Sequence, residues 1–191
     1  MEQIIDELTV LVENACKSGN NAFGYGIWSH HIKPMIPLGQ NLADEYHADK
    51  EIVTISILLH DLAAIENKDN VREHHIIGAE RAEKLLQGYN YPNDKTEKIK
   101  MCILNHRSSI NMKKNTIEEI CVADADAIIH LFELGSLFYM VYVEMERSIE
   151  DGQKWIKRKL EKDFQKLSER SKDRYRNEFD AVMRLLETNM I

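Results

Sequence analysis

Residues 55 to 66, ISILLHDLAAIE, set a histidine and an aspartate side by side, His60 and Asp61, in the middle of an apolar run. A carboxylate buried in such a run must be neutralised by a cation, a hydrogen-bonded histidine or a proton, because its lost hydration is costly. Adjacent residues lie about 100° apart on a helix, so the two side chains can flank one point beside it. Either the pair is satisfied internally, with help from the backbone, or both side chains hold a metal ion. The segment WSHHIKPM supplies His30 and His31 some thirty residues earlier, and VADADAII supplies Asp124 and Asp126 about 65 residues later. Two imidazoles and two carboxylates on separate helices make a ligand set suited to a divalent transition metal, assembled only by folding.

The elements that must position these residues read as helices nearly throughout. Prolines are confined to Pro34, Pro37 and Pro92, and apolar residues recur at spacings of three and four rather than two. A first helix is predicted over residues 3 to 17, with Ile4, Ile5, Leu8, Leu11, Val12 and Ala15 as its apolar stripe, and KSGNNAFGYG breaks it. A second covers Pro34 to about Tyr46. A third opens near Asp49, whose carboxylate can cap it, and runs through Leu62 or Ile65. Its segment EIVTISILLHDL is apolar around most of its circumference, which places it in the middle of a bundle. A fourth runs from about Asn70 to Gln87, opened by Asn70 with Glu73 and ended by Gly88; the next, opened by Asp94 with Glu97, reaches His106. Another starts at Thr116 with Glu119 and passes through CVADADAIIHLFEL. Beyond Gly135 the chain is helical again. In KWIKRKLEKDFQKLSERSKDRYRNEF a stripe of Trp155, Ile156, Leu160, Phe164 and Leu167 marks a solvated amphipathic helix.

Length and charge narrow the function classes. A chain of 191 residues is long enough for one domain with one sizeable core, here spanning residues 1–191. Its formal charge of −7 gives no general attraction to nucleic acid or an anionic membrane, so an anionic substrate must be held locally. Cys16, Cys102 and Cys121 are odd in number, far apart and set in apolar helical segments, as expected of small core residues in a reducing compartment. MEQIIDELTVLVEN carries acids rather than a basic leader, and no segment reaches the uncharged length that crosses a bilayer, so a cytoplasmic location is expected. There is no internal repeat, no G-x-x-x-x-G-K loop and no G-x-S-x-G elbow, and GYG is only a fragment of a glycine-rich loop.

From SHHIKPM through ILLHDL to ADADAII, about residues 28 to 130, the ordered pattern H…HD…D resembles the HD superfamily of metal-dependent phosphohydrolases. The resemblance implies an all-α HD-domain helical bundle, with its motif-bearing core over about residues 20–135 and a C-terminal helical extension over about 136–191. It implies a divalent metal held by an early histidine, His60, Asp61 and a late aspartate, with Mn, Fe, Mg, Co, Ni and Zn all open and one or two ions alike. It implies hydrolysis of a small phosphate ester, a nucleotide or a related phosphorylated metabolite, by metal-activated water. The family's aliphatic residues one and four positions after the early histidine match Ile32 and Met35 and select His31 over His30. Pro34 and Pro37 then put His31 just before or within a first helical turn. Asp124 and Asp126 point to nearly opposite sides of a helix. The family's Ala-Asp pair followed by an aliphatic residue selects Asp126, which leaves Asp124 as a capping, supporting or solvent-facing acid.

Two further segments look like family features. REHHIIGAERAEKLL places His74 four before Gly78, which would leave open space beneath it, and CILNHRSS places His106 before Arg107. In related proteins such histidines contact phosphate or a second metal. Arg107 can clamp two phosphate oxygens. His75, His47 and His130 read as ordinary packed or surface histidines. One departure stands out: some nucleotidase members carry an acid three after the HD aspartate, used in proton transfer, where this chain has Ala64, and Glu66 is the nearest acid downstream. That departure motivates a second reading, a non-catalytic metal- or nucleotide-binding regulatory module; a plain helical scaffold with a structural His60–Asp61 pair is a third.

Overall fold

The computed structural model describes residues 2–107 and 113–187. Among these residues the chain is all-α, without a strand. Its helices are α1 (Glu2–Cys16), α2 (Lys33–Tyr46), α3 (Lys50–Leu59), α4 (Leu62–Glu66), α5 (His74–Gly88), α6 (Asn93–Asn105), α7 (Ile117–Phe132), α8 (Leu134–Tyr139), α9 (Ile149–Lys166) and α10 (Glu169–Leu186). Wide π-type turns occupy Trp28–Ile32 and Met140–Glu144, and a 3-10 turn occupies Lys68–Arg72. Among the described residues, no helix is long and apolar enough to cross a membrane.

The two most apolar helices form the centre. Every residue of α3 from Ile52 to Leu59 is buried, as is every residue of α7 from Cys121 to Leu131. Helix α2 packs on both, α6 on both, α5 on α6, and α9 and α10 on α7, so one hydrophobic core extends from Leu8 to Leu186. Gly39 permits the close approach of α2 to α3, since a β-carbon there would stand 2.2 Å from Ile57 Cδ1. Asp49 caps α3 as expected, accepting from the Glu51 and Ile52 amides at 2.9 and 3.3 Å. Thr116 and Glu119 form the expected reciprocal start of α7: the Thr116 hydroxyl accepts from the Glu119 amide and donates to its carboxylate, both at 3.2 Å.

Four expectations about the helices need correction. The third helix does not run to Leu62 or Ile65 uninterrupted. It stops at Leu59 and resumes as α4, with Asp61 between them at φ −106°, ψ 2°, its carbonyl accepting from the Ala64 and Ile65 amides at 3.0 Å each. The fourth does not begin at Asn70: the Asn70 side-chain amide donates to the Ala63 carbonyl at 3.1 Å, its backbone N–H donates to the Asn67 carbonyl at 3.0 Å, and α5 starts only at His74. Asp94 lies inside the first turn of α6 rather than capping it. At the end of α5 the left-handed position is taken by Asn90 (φ 52°) and not by Gly88. The two prolines are accommodated as anticipated: the Lys33 amide reaches back five residues to the Trp28 carbonyl, and Pro34 cannot donate, which leaves His31 in a wide turn ahead of α2.

The C-terminal extension is helical to Leu186, and its last residues, 188–191, lie outside the described residues. It is tied to α7 through Asp124, which is fully buried and accepts from the Ser168 amide at 3.0 Å and the Ser168 hydroxyl at 2.5 Å. Asp124 is therefore the capping acid of the two aspartates. Asp124→Ala strands both Ser168 donors and is expected to cost about 1–3 kcal/mol in equilibrium urea unfolding. Metal content per folded chain should be unchanged; its loss would return Asp124 to the list of ligand candidates.

Candidate metal centre

The interruption between α3 and α4 prepares the site. Where the helical ladder stops, the Ile57 carbonyl is left to accept the His60 ring, Nδ1 to oxygen 2.7 Å. The same bond recurs at two other helix ends: His74 Nδ1 meets the Val71 carbonyl at 2.7 Å, and His106 Nδ1 meets the Ile103 carbonyl at 2.6 Å. A carbonyl cannot donate, so each Nδ1 carries a proton, and each ring, whenever it is neutral, offers Nε2 as a lone pair. Second partners of this kind fix the tautomer of metal-binding histidines.

All three Nε2 atoms face Asp61. Its Oδ2 lies 3.3 Å from His60 Nε2 and 4.0 Å from His31 Nε2, while its Oδ1 lies 3.3 Å from His74 Nε2 and 3.9 Å from His106 Nε2. His31 Nε2 stands 3.2 Å from His60 Nε2 and 3.5 Å from Asp126 Oδ1. His74 and His106 place their Nε2 atoms 3.1 Å apart. With both Nδ1 protons committed to carbonyls, two neutral rings would oppose lone pairs there, an arrangement that calls for a cation or a shared proton between them. Donors that share an ion at about 2.0–2.2 Å stand about 3.0–3.5 Å from one another; the His31–His60, His60–Asp61, His31–Asp126, His74–Asp61 and His74–His106 separations fall in that range, while His31–Asp61 and His106–Asp61 are wider at 4.0 and 3.9 Å.

Charge in the centre follows from burial and from these pairings. Burial opposes a charge on His60, but the adjoining Asp61 carboxylate outweighs it and raises the ring to about 9. Burial, then the neighbouring His130, lowers His31 to about 3; burial, then His60, holds His106 well below the ordinary histidine value. Burial would protonate Asp61, yet His60, His74 and His106 keep it well below the usual carboxylate range. Asp126 is held low in the same way against its burial, first by Lys166 and then by His130 and Lys159.

The structure thus brings His31, His60, Asp61, Asp126, His74 and His106 together, and all but the fully buried His60 line a cavity of about 1060 Å³. Arg107 lines the same cavity and donates to the Arg72 carbonyl. His30 is mostly exposed and turns to Glu133 at 3.3 Å, and His47 is exposed at the left-handed end of α2. His75 is buried without a partner for Nδ1 among the described residues. Gly78 does not leave the open space anticipated beneath His74: a β-carbon there would meet Ile103 Cγ2 at 3.4 Å and the His60 carbonyl at 3.6 Å, so it serves the packing of α5 over the break. Ala64 is buried, and Glu66 is engaged by the Arg81 guanidinium at 2.9 and 3.0 Å.

Three residues escaped the sequence reading, Lys159, Asp163 and Lys166, and His130, read there as an ordinary packed or surface histidine, adjoins the centre. His130, one turn past Asp126, stacks on His31 at a ring distance of 4.9 Å and holds Asp163 at 3.0 Å through Nδ1. Lys159 pairs with the same Asp163 at 2.8 Å. Lys166 reaches Asp126 Oδ2 at 2.5 Å and the His106 carbonyl at 2.7 Å, leaving Asp126 Oδ1 for the histidines. Lys159, Asp163 and Lys166 share one face of α9 at spacings of four and three, a signal that was present within a charge run that looked merely solvated.

Comparison with known proteins bears on the fold and the family. The crystal structure of Bacillus subtilis YpgQ in complex with ADP superposes with a TM-score of 0.68 over 97% of each chain at 14% identity, a likeness of fold. An uncharacterized protein of Clostridium beijerinckii is 29% identical over 83 residues, which cover 41% of this chain and 53% of that relative, about half its length. The family model for the HD domain matches residues 28–130, from the turn that carries His31 to the helix that carries Asp126. By that match, which spans more than half of its length, the chain belongs to the HD domain family, a family of the metal-dependent phosphohydrolase type.

Proposed function

We propose that the protein hydrolyses a small phosphate ester, a nucleotide or a related phosphorylated metabolite, at this His/Asp centre. The observation that carries the reading is the convergence of buried imidazole and carboxylate donors on the floor of a cavity of ligand size. The ADP bound by the YpgQ fold supports a nucleotide. One divalent ion would be held by His31, His60, Asp61 Oδ2 and Asp126 Oδ1, and a second by Asp61 Oδ1, His74 and His106. When bound, such ions polarise a phosphate and lower the pKa of water at neutral pH.

The chain's own groups do the rest. Asp61 stays ionised and can orient the attacking water by accepting its hydrogen bond. Lys166 fixes which oxygen Asp126 presents. Arg107 at the cavity wall meets two phosphate oxygens and offsets charge that grows during attack. A regulatory, non-catalytic module is the second reading, favoured by Ala64 in the proton-transfer position and by the engagement of Glu66 with Arg81. Nucleotide-dependent thermal stabilisation without product in the presence of manganese would select it.

Elemental analysis and a screen of phosphate mono- and diesters, run on wild type and Asp61→Ala, test the first reading. The variant should lose both metal and hydrolysis, and retention of both would remove Asp61 from the mechanism. His74→Ala should roughly halve the bound metal of the wild type, as expected where one of two sites loses a ligand. The pH dependence has a definite sign. His60 keeps a proton up to about pH 9, and an ion must displace it, so apparent metal affinity should rise with pH below that value. A slope of about tenfold per pH unit between about pH 6 and pH 8 is expected in metal-competition titrations, and a flat profile would contradict the assignment of His60 as a ligand.

A further inference from the structure

The cavity over the metal centre has a cationic wall that lies outside residues 28–130. That wall is α9. One stripe of the helix, Ile156, Leu160, Phe164 and Leu167, is buried in the core. A second stripe, Trp155, Arg158, Lys159 and Lys162, lines the cavity at spacings of three and four, and one turn further on stands Lys166, in contact with Asp126. The charges of this second stripe are unequally matched. Lys159 is paired with Asp163 and Lys166 with Asp126. Arg158 and Lys162 are exposed to the cavity and form no ion pair among the described residues, although the chain as a whole is acidic. Helical rise sets Lys162 about 6 Å and Arg158 about 12 Å along the axis from Lys166, so the two unmatched cations form a row leading away from the metal centre.

We propose that Arg158 and Lys162 form a subsite for phosphate groups beyond the one at the metal centre, so that the cavity takes a nucleoside di- or triphosphate in preference to a monophosphate. The inference rests on the phosphohydrolase reading of the same cavity. A single phosphate is matched by the centre and by Arg107, and leaves the row on α9 unused. Each added phosphate brings acceptor oxygens within reach of an ammonium or guanidinium, whose charged hydrogen bonds are the strong ones. The apolar part of the ligand has a wall of its own: Tyr25, Tyr139 and Met145 line the cavity and are substantially exposed. An aromatic base can lie against such a surface.

Equilibrium binding separates this inference from turnover. The metal-loaded wild type and the double variant Arg158→Gln/Lys162→Gln are titrated calorimetrically with AMP and with α,β-methylene-ADP, whose bridging bond resists hydrolysis. The wild type should prefer the diphosphate analogue by about tenfold or more, and the double variant should lose that preference while keeping its affinity for AMP and its metal content. Equal weakening of both probes, an unchanged preference, or no binding of either probe by the wild type would overturn the proposal. A wild type that shows the preference but hydrolyses no phosphate ester would sink the catalytic reading and leave the subsite standing. Hydrolysis with a preference untouched by the double variant would do the reverse.

Discussion

Asp61 sits where the central helix breaks, and its carboxylate, withdrawn from water, has to be met by donors or cations on every open side. Both oxygens are met. One faces His60 and His31, the other His74 and His106, so four rings from the π-type turn, the α3 end, the α5 start and the α6 end are oriented by one side chain. The order of the surrounding elements follows from that demand. α2 must bring in the turn that carries His31, and α5 must pack over the break to place His74, with Gly78 facing the His60 carbonyl.

The rings are set by groups that helices leave over. An α-helix ends with carbonyls that have no partner within it, and these usually go to water or to a cap. Here the carbonyls of Ile57 and Ile103 at helix ends, and of Val71 in the 3-10 turn, take ring N–H groups instead. The cost of terminating a helix inside the protein is thereby turned into a fixed tautomer. A centre built this way has little freedom of ring rotation, the condition for holding an ion without reorganisation.

Much of this was legible in the sequence, for particular reasons. Burying His60 and Asp61 in an apolar run is a problem that few arrangements solve, and the spacing of the remaining donors pointed to the elements that supply them. The choice of His31 over His30 agrees with their burial, since His31 is enclosed and His30 is solvent-facing. Asp124 and Asp126 diverge as two positions on a helix must, one toward Ser168 and the other toward His31. The interruption after Leu59 was not legible, because no glycine or proline marks it: the segment retains good helix formers and is broken by tertiary demand on Asp61. Nor was the part played by α9, whose charged residues divide between solvent and the cavity at a periodicity identical to that of any amphipathic surface helix. His130 was undervalued because a histidine on an apolar helix gives no sign in sequence of what stacks on it.

Lys166 has a consequence for the order in which this protein can mature. The ionised groups at the heart of the centre are Asp61 and Asp126 on one side and His60 and Lys166 on the other, and their charges cancel. The chain therefore carries its own counter-charges into the interior, and collapse does not have to wait for a metal to neutralise two buried carboxylates. An ion held as proposed would enter by exchange, displacing the proton on His60, in a protein whose helices are already in place.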